Sequence, residues 1–204
     1  MRVIGVDGYP KGWVAVVLDR GRFAEAAVFV SFADVLDCYD EAKCFAVDIP
    51  IGLPPPYPRP ADLEARRFVG PRWQSVFLTP PRSALEAPTY AEARAQLSSL
   101  TSQAYNLRRK IFEVDQLSDS RVVEVHPEVS FRELAGRALA SKHTWNGIVE
   151  RMRLFGLPDR VEVDVPPQDL LDASAAAWSA HRYARGEALP LPEGHGGRIG
   201  AIWR

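Results

Sequence analysis

Apolar and polar positions change rhythm several times along the chain, and each change predicts an element. Val3-Ile4-Gly5-Val6 is a short apolar run that ends in Asp7. The turn formers Gly8 to Gly12 follow, and Trp13–Leu18 is a second, β-branched run. Asp19-Arg20-Gly21 makes another turn, and Arg22–Val30 reads as a third strand, so the chain opens as a meander with short connections. Ser31 is placed to cap a helix over Phe32–Tyr39 that gathers Phe32, Val35, Leu36 and Tyr39 on one face. Cys44–Val47 then reads as a fourth strand running into Asp48-Ile49-Pro50.

The rhythm breaks at Pro50, Pro54, Pro55, Pro56, Pro58 and Pro60, a density that predicts a rigid loop beside the strand end. Helical patterns cover Ala61–Val69, Thr89–Leu100 and Ser102–Leu117, with a loop over Gly70–Arg82. Arg121–Val125 is a fifth strand, closed by His126-Pro127-Glu128. Helices follow through Leu134, over Trp145–Phe155 and over Asp169–Arg185, the last rich in alanine, as suits a helix lying close against a sheet. Gly194–Gly200 reads as a surface strand or arm. A hairpin start followed by helix–strand units predicts an α/β fold with a central mixed five-stranded sheet flanked by helices. Residues 1–204 are expected to form a single domain, carrying a Pro- and Arg-rich helical insertion after the fourth strand, over about 50–118.

Composition narrows the class further. With 204 residues, 47% hydrophobic, the chain can bury a core without disulfide or metal. Cys38 and Cys44 are too few for a secreted disulfide framework and read as small apolar residues. No leader pattern precedes Val3, and no run reaches the roughly 18 apolar residues of a membrane span. A soluble, cytoplasmic protein with no membrane partner is expected. The net charge of −1 weighs against tight nonspecific nucleic-acid binding, which depends on phosphate neutralisation. Arginines do collect locally, at Arg59, Arg66, Arg67, Arg72 and Arg82.

Acids stand where elements meet loops. Asp7 ends the first strand, Asp48 ends the fourth, and Glu124 lies in the fifth. Asp169 and Asp172 open the last helix three residues apart, on one face. Gathered together, such carboxylates repel one another unless a cation sits between them. Hard oxygen donors suit Mg²⁺ or Mn²⁺, and two such ions roughly 4 Å apart can drive phosphodiester cleavage. Taken singly, each acid has a structural role open to it. Asp7 could shape a hairpin turn, Asp48 could close a strand, Glu124 could face solvent, and Asp169 and Asp172 could complement a helix dipole.

Six motifs then share a family likeness, in order along nearly the whole chain. They are Val6 to Trp13, Asp48 to Leu53, Ser75 to Arg82, Lys110 to Asp115, Glu124 to Phe131 and Asp169 to Ala173. Together they resemble domain of unknown function 429, whose members are described as predicted ribonuclease-H-like nucleases. The resemblance implies a ribonuclease-H-like fold with Asp7, Asp48, Glu124 and Asp172 as catalytic residues. It implies Asp7, Asp48, Glu124, Asp169 and Asp172 as ligands of Mg²⁺ or Mn²⁺, with Asp7 bridging two ions. The Asp169–Asp172 pair is also similar to the closing acidic pair of Holliday-junction resolvases. Gln168 stands where a further acid is expected in many relatives.

The same resemblance brings forward Arg72, Arg82, His126 and Lys142 as substrate-binding residues, with Arg66, Ser75, Thr79 and Arg151 less directly implicated. Arginine suits phosphate because its planar fork donates two parallel hydrogen bonds. The expected activity is divalent-metal-dependent cleavage of RNA, DNA or a branched nucleic acid. Two rivals stand beside it: a hydrolase or transferase of nucleotides or small phosphorylated ligands, and a non-catalytic binding module. Oligomeric state is left open, a homodimer being compatible with the sequence.

Overall fold

The computed structural model describes residues 1–53 and 57–204. The central part of the expected proline-rich loop, Pro54 to Pro56, lies outside the described residues. Three strands form the opening meander: β1 (Arg2–Tyr9), β2 (Gly12–Asp19) and β3 (Arg22–Phe29). Helix α1 (Phe32–Cys38) follows and leads to β4 (Phe45–Val47). Its start is fixed by the expected cap. Ser31 Oγ accepts from the Asp34 amide and the Asp34 carboxylate accepts from the Ser31 amide, a reciprocal capping box.

The segment after β4 carries α2 (Pro60–Val69), a 3₁₀ turn over Gly70–Ser75, and four short helices. These are α3 (Arg82–Glu86), α4 (Tyr90–Gln96), α5 (Ser102–Asn106) and α6 (Arg108–Asp115). The long helices expected here are shorter. The first ends where Leu97 turns extended (φ −136°, ψ 92°). The second divides at Leu107, which keeps helical angles (φ −70°, ψ −12°), so α5 and α6 are nearly continuous. The sheet closes with β5 (Val122–Glu124), followed by α7 (Pro127–Ala135), α8 (Trp145–Phe155) and α9 (Pro167–Ala184). The glycine-rich tail is not itself a strand; it joins the two-residue strands β6 (Pro190–Leu191) and β7 (Ile202–Trp203).

The main sheet has the order β3-β2-β1-β4-β5, with β1 to β3 antiparallel and β4 and β5 parallel to β1. The expected mixed five-stranded sheet flanked by helices is what the chain builds. Its two faces have different packing. On one, Ile4, Val6, Phe45, Val47 and Val122 meet α1 and α6 through Phe32, Val35, Ile111 and Val114. On the other, Val3, Ala46, Val123 and Val125 meet α9 through Ala176 and Ala180, while Val14 and Val16 meet Ala173 and Ala177. Helix α9 comes so close that a Cβ on Gly5 would stand 1.9 Å from the Ala177 amide nitrogen and 2.2 Å from the Ala173 carbonyl oxygen.

This alternation decides which acids meet. Successive strand residues point to opposite faces. Asp7 shares the parity of Val3 and Gly5 on β1, and Asp48 continues that of Ala46, so both fall on the α9 face. Glu124 shares the parity of Val122 and falls on the other. Strand pairing agrees, since Glu124 lies beside Val47, a residue of the α1 face.

Candidate carboxylate-lined active site

Asp7, Asp48 and Asp172 come from three elements far apart in sequence and line one cavity of about 190 Å³. It lies beyond the carboxyl ends of the parallel strands β1 and β4, beside the first turns of α9. Open α/β sheets characteristically bind ligands at such a position. Asp7 is held by the Gly8 amide, which donates to its Oδ1 at 2.8 Å. Asp48 extends the β1–β4 ladder, its amide donating to the Val6 carbonyl at 3.2 Å. Asp172 accepts from Lys142 Nζ at 2.8 Å through Oδ2, while its Oδ1 is buried with no protein partner among the described residues.

Burial and mutual repulsion both oppose ionisation here. Asp7 is pushed well above the ordinary carboxylate range, first by burial, then by the charges of Asp48, Asp172 and Asp169. Burial lifts Asp48 to about 6, with His126 and Lys142 pulling the other way. Asp172 is raised by burial against the opposing pull of Lys142. Asp169 sits half-buried one turn earlier on α9 and is also raised, by burial and then by Asp172. Lys142 keeps a raised pKa: burial disfavours its charge, and the adjacent Asp172 more than compensates.

Among the described residues, no group of three or more His, Cys, Asp or Glu stands ready-made to hold an ion. The chemistry of the donors nonetheless fits a hard divalent cation. They are carboxylate oxygens from Asp7, Asp48 and Asp172, they repel each other in a buried setting, and one of them, Asp172 Oδ1, has no partner among the described residues.

Other expected site residues are placed differently. Glu124 is placed apart from the cluster: both its oxygens accept from Arg59, at 2.6 and 3.0 Å, and Oε2 also accepts from the Ile51 amide at 2.7 Å. Strand parity turns it to the other face, so the structure does not bring it into the cavity lining beside Asp7. Arg82 is exposed and paired with Asp115 and Glu86, away from the cavity lining. Arg72 Nε donates to the Leu139 carbonyl at 3.0 Å, also outside the lining.

His126 and Lys142 do line the cavity. His126 Nε2 lies 3.3 Å from the Ser75 carbonyl, and its Nδ1 is buried without a partner among the described residues. Ser75 also lines the cavity, whereas Thr79 serves Asp62. Arg151 is fully buried and donates to Glu128 at 2.7 Å, and its guanidinium lies over the Phe131 ring.

Two groups of the site escaped the sequence reading. Glu128 is a further carboxylate of the lining, presented by the first turn of α7 and held by Arg151. Its position in the His126-Pro127-Glu128 motif was the available signal. Arg59 had none: only the structure shows it bridging Asp62 and Glu124 from a fully buried position at the start of α2. Lys110 also approaches, its aliphatic chain 2.7 Å from where a Gly8 Cβ would stand and its Nζ over the Trp13 ring.

A mixed five-stranded sheet flanked by helices, with acids gathered beyond its parallel strand ends, is the α/β architecture expected from the sequence. The family model for proteins of unknown function called DUF429 matches residues 5–195, and the chain belongs to that family. Among solved structures, the chain is similar to the Thermus thermophilus RuvC structure, at 16% identity and a TM-score of 0.40. That match covers 92% of this chain and 98% of the other. No curated protein matches the sequence. No helix among the described residues is long and apolar enough to cross a membrane.

Proposed function

We propose that the chain is a divalent-metal-dependent nuclease that cleaves phosphodiester bonds at the Asp7–Asp48–Asp172 cavity. One observation carries this reading: three carboxylates from β1, the end of β4 and α9 converge in one buried place. There the pKa of each is raised, with Asp172 Oδ1 unpartnered. Burying acids together costs free energy that a purely structural role does not return. Mg²⁺ or Mn²⁺ held by Asp7, Asp48 and Asp172, with Asp169 at the rim, would neutralise the cluster and supply Lewis acidity toward a phosphate.

The remaining chemistry belongs to the protein. Lys142 orients Asp172 and places a fixed positive charge beside the acids. A polyanionic strand is repelled by uncompensated carboxylates, so Lys142 and a bound cation together decide whether phosphate can enter. His126 lines the cavity with an Nδ1 that has no partner among the described residues, a ring nitrogen able to hydrogen-bond a substrate oxygen or water. Glu128 is neutralised by Arg151 and positions the α7 end of the wall.

The test joins binding and turnover. Mn²⁺ is expected to raise the melting temperature of the wild-type chain and to support cleavage of a labelled oligonucleotide. Asp7→Asn should lose both while keeping its far-ultraviolet circular dichroism. Since a ligand selective for the native state must stabilise it, a mutant that melts with Mn²⁺ and cleaves like wild type overturns the proposal.

A further inference from the structure

A second cavity, of about 320 Å³, adjoins the carboxylate cavity, and Phe77 and Gln103 line both. Their chemistries are opposite. The first presents the ionisable side chains of Asp7, Asp48, Glu128, Asp172, Lys142 and His126. Among the described residues, the second is lined by no acid and by one cationic side chain, Arg66. Its walls are the rings of Tyr57 and Phe77 and the aliphatic chains of Leu78, Leu97 and Leu100, with amides from Gln74 and Gln103 at the edges.

We infer that this second cavity is a subsite for an unpaired nucleobase of a nucleic-acid strand whose phosphate lies in the carboxylate cavity. The inference deepens the nuclease reading by naming its substrate class as single-stranded, and it rests on that reading for the place of the phosphate. The geometry divides a nucleotide in two. The carboxylate cavity offers charge and hard oxygens, with the Phe77 ring at its boundary with the neighbour. The neighbour offers aromatic faces and amide groups, which stack on a base and pair with its edge. Arg66 donates through Nε to the Val76 carbonyl at 2.7 Å, and its guanidinium lies 5.2 Å from the Trp73 ring centre. Its two terminal amino groups carry no hydrogen bond among the described residues, and their planar fork suits a base edge or a flanking phosphate.

A base held inside a duplex cannot enter such a space without leaving its partner, and that costs a few kcal/mol for a paired base and least for an unpaired one. The net charge of −1 agrees. A near-neutral chain gains little nonspecific attraction to a duplex backbone, so discrimination falls to the subsite.

Fluorescence anisotropy with a short fluorescein-labelled single strand tests this, in DNA and RNA versions beside the matching duplexes. Asp7→Asn protein is used so that the strand survives. The single strand is expected to bind at least about 10-fold more tightly than its duplex, the cost of extruding one base. Phe77→Leu, which keeps apolar bulk but removes the stacking face, should weaken single-strand binding about 5-fold or more. Phe77 is half-buried, so Ser99→Trp provides a second variant, filling the cavity from an exposed position on its rim. It should weaken the strand as Phe77→Leu does, with an unchanged melting temperature.

Equal affinity for strand and duplex overturns the subsite, as does absence of binding or full binding by a folded Ser99→Trp. Binding does not require turnover. A chain that discriminates the strands but never cleaves keeps the subsite and loses the nuclease reading, whereas one that cleaves duplex and single strand alike does the reverse.

Discussion

At the scale of single residues, the site is a set of acids whose protons are held by their surroundings. Burial lifts Asp48 from 3.8 to about 6, and Asp7 and Asp172 move the same way. A carboxyl with a raised folded pKa binds its proton more tightly in the native state. Its contribution to stability is therefore fully present below the unfolded pKa and is lost as pH rises through the folded one. For Asp48 the window runs from 3.8 to about 6. The loss is about 3 kcal/mol at most, and smaller because Asp48 is partly exposed and solvent screens it. Carboxylates such as Asp119, held low by its hydrogen bond from Arg121, lose their contribution only in more acid solution. Without divalent cation, the chain should thus melt at a higher temperature near pH 5 than near pH 7. Asp48→Asn should flatten that slope and Mn²⁺ should offset it at pH 7. An unchanged slope in the variant would sink this account of Asp48.

At the scale of elements, most of the scaffold was legible. Alternating and β-branched runs located all five strands of the main sheet, and the Ser31 cap and the alanines of α9 marked helices that form. The meeting of Asp7 and Asp48 in one cavity followed from their strand ends. Glu124 differs from them by one step of parity. Val123 and Val125 face α9, so the acid between them faces the other way, toward the segment that follows β4. The sequence holds that alternation, but not the buried partner that makes the position tolerable. Arg59, from the start of α2, donates to Glu124 and to Asp62, and Asp62 in turn accepts from the Thr79 amide and hydroxyl. This network ties β5, α2 and the loop before α3 together behind the cavity. Arg59→Met removes the cation from between two buried acids, which should lower stability by about 3–5 kcal/mol in urea titrations. Replacing Asp62 and Glu124 by Asn and Gln in the same chain should restore much of that loss. Failure of the triple variant to recover would show that packing, and not charge, governs the junction.

At the scale of the whole molecule, the carboxylate site exists because α9 lies nearly on the sheet backbone. Asp172 belongs to the helix and Asp7 to the strand, so their approach is set by the spacing between those elements, and Gly5 sets that spacing. A methyl at Gly5 would meet the Ala177 nitrogen and Ala173 oxygen, two backbone atoms of a helix that packs on β1, β2 and β4 together. Neither atom can turn aside as a side chain would, so the helix must lift. Gly5→Ala should therefore destabilise the chain by about 3 kcal/mol or more, at the upper end of overpacking costs. Gly197→Ala is the control, since its added methyl would meet only the His195 ring, at 3.6 Å, and it should stay within about 0.5 kcal/mol. The decisive comparison is metal response at a temperature where both variants remain folded. Lifting α9 carries Asp172 away from Asp7 and Asp48, so Mn²⁺ should stabilise Gly197→Ala as it does the wild type and stabilise Gly5→Ala much less. If Gly5→Ala loses stability yet keeps the full Mn²⁺ shift, the cation is held by the strand-end acids alone. The closing helix would then be scaffold without a share in the site.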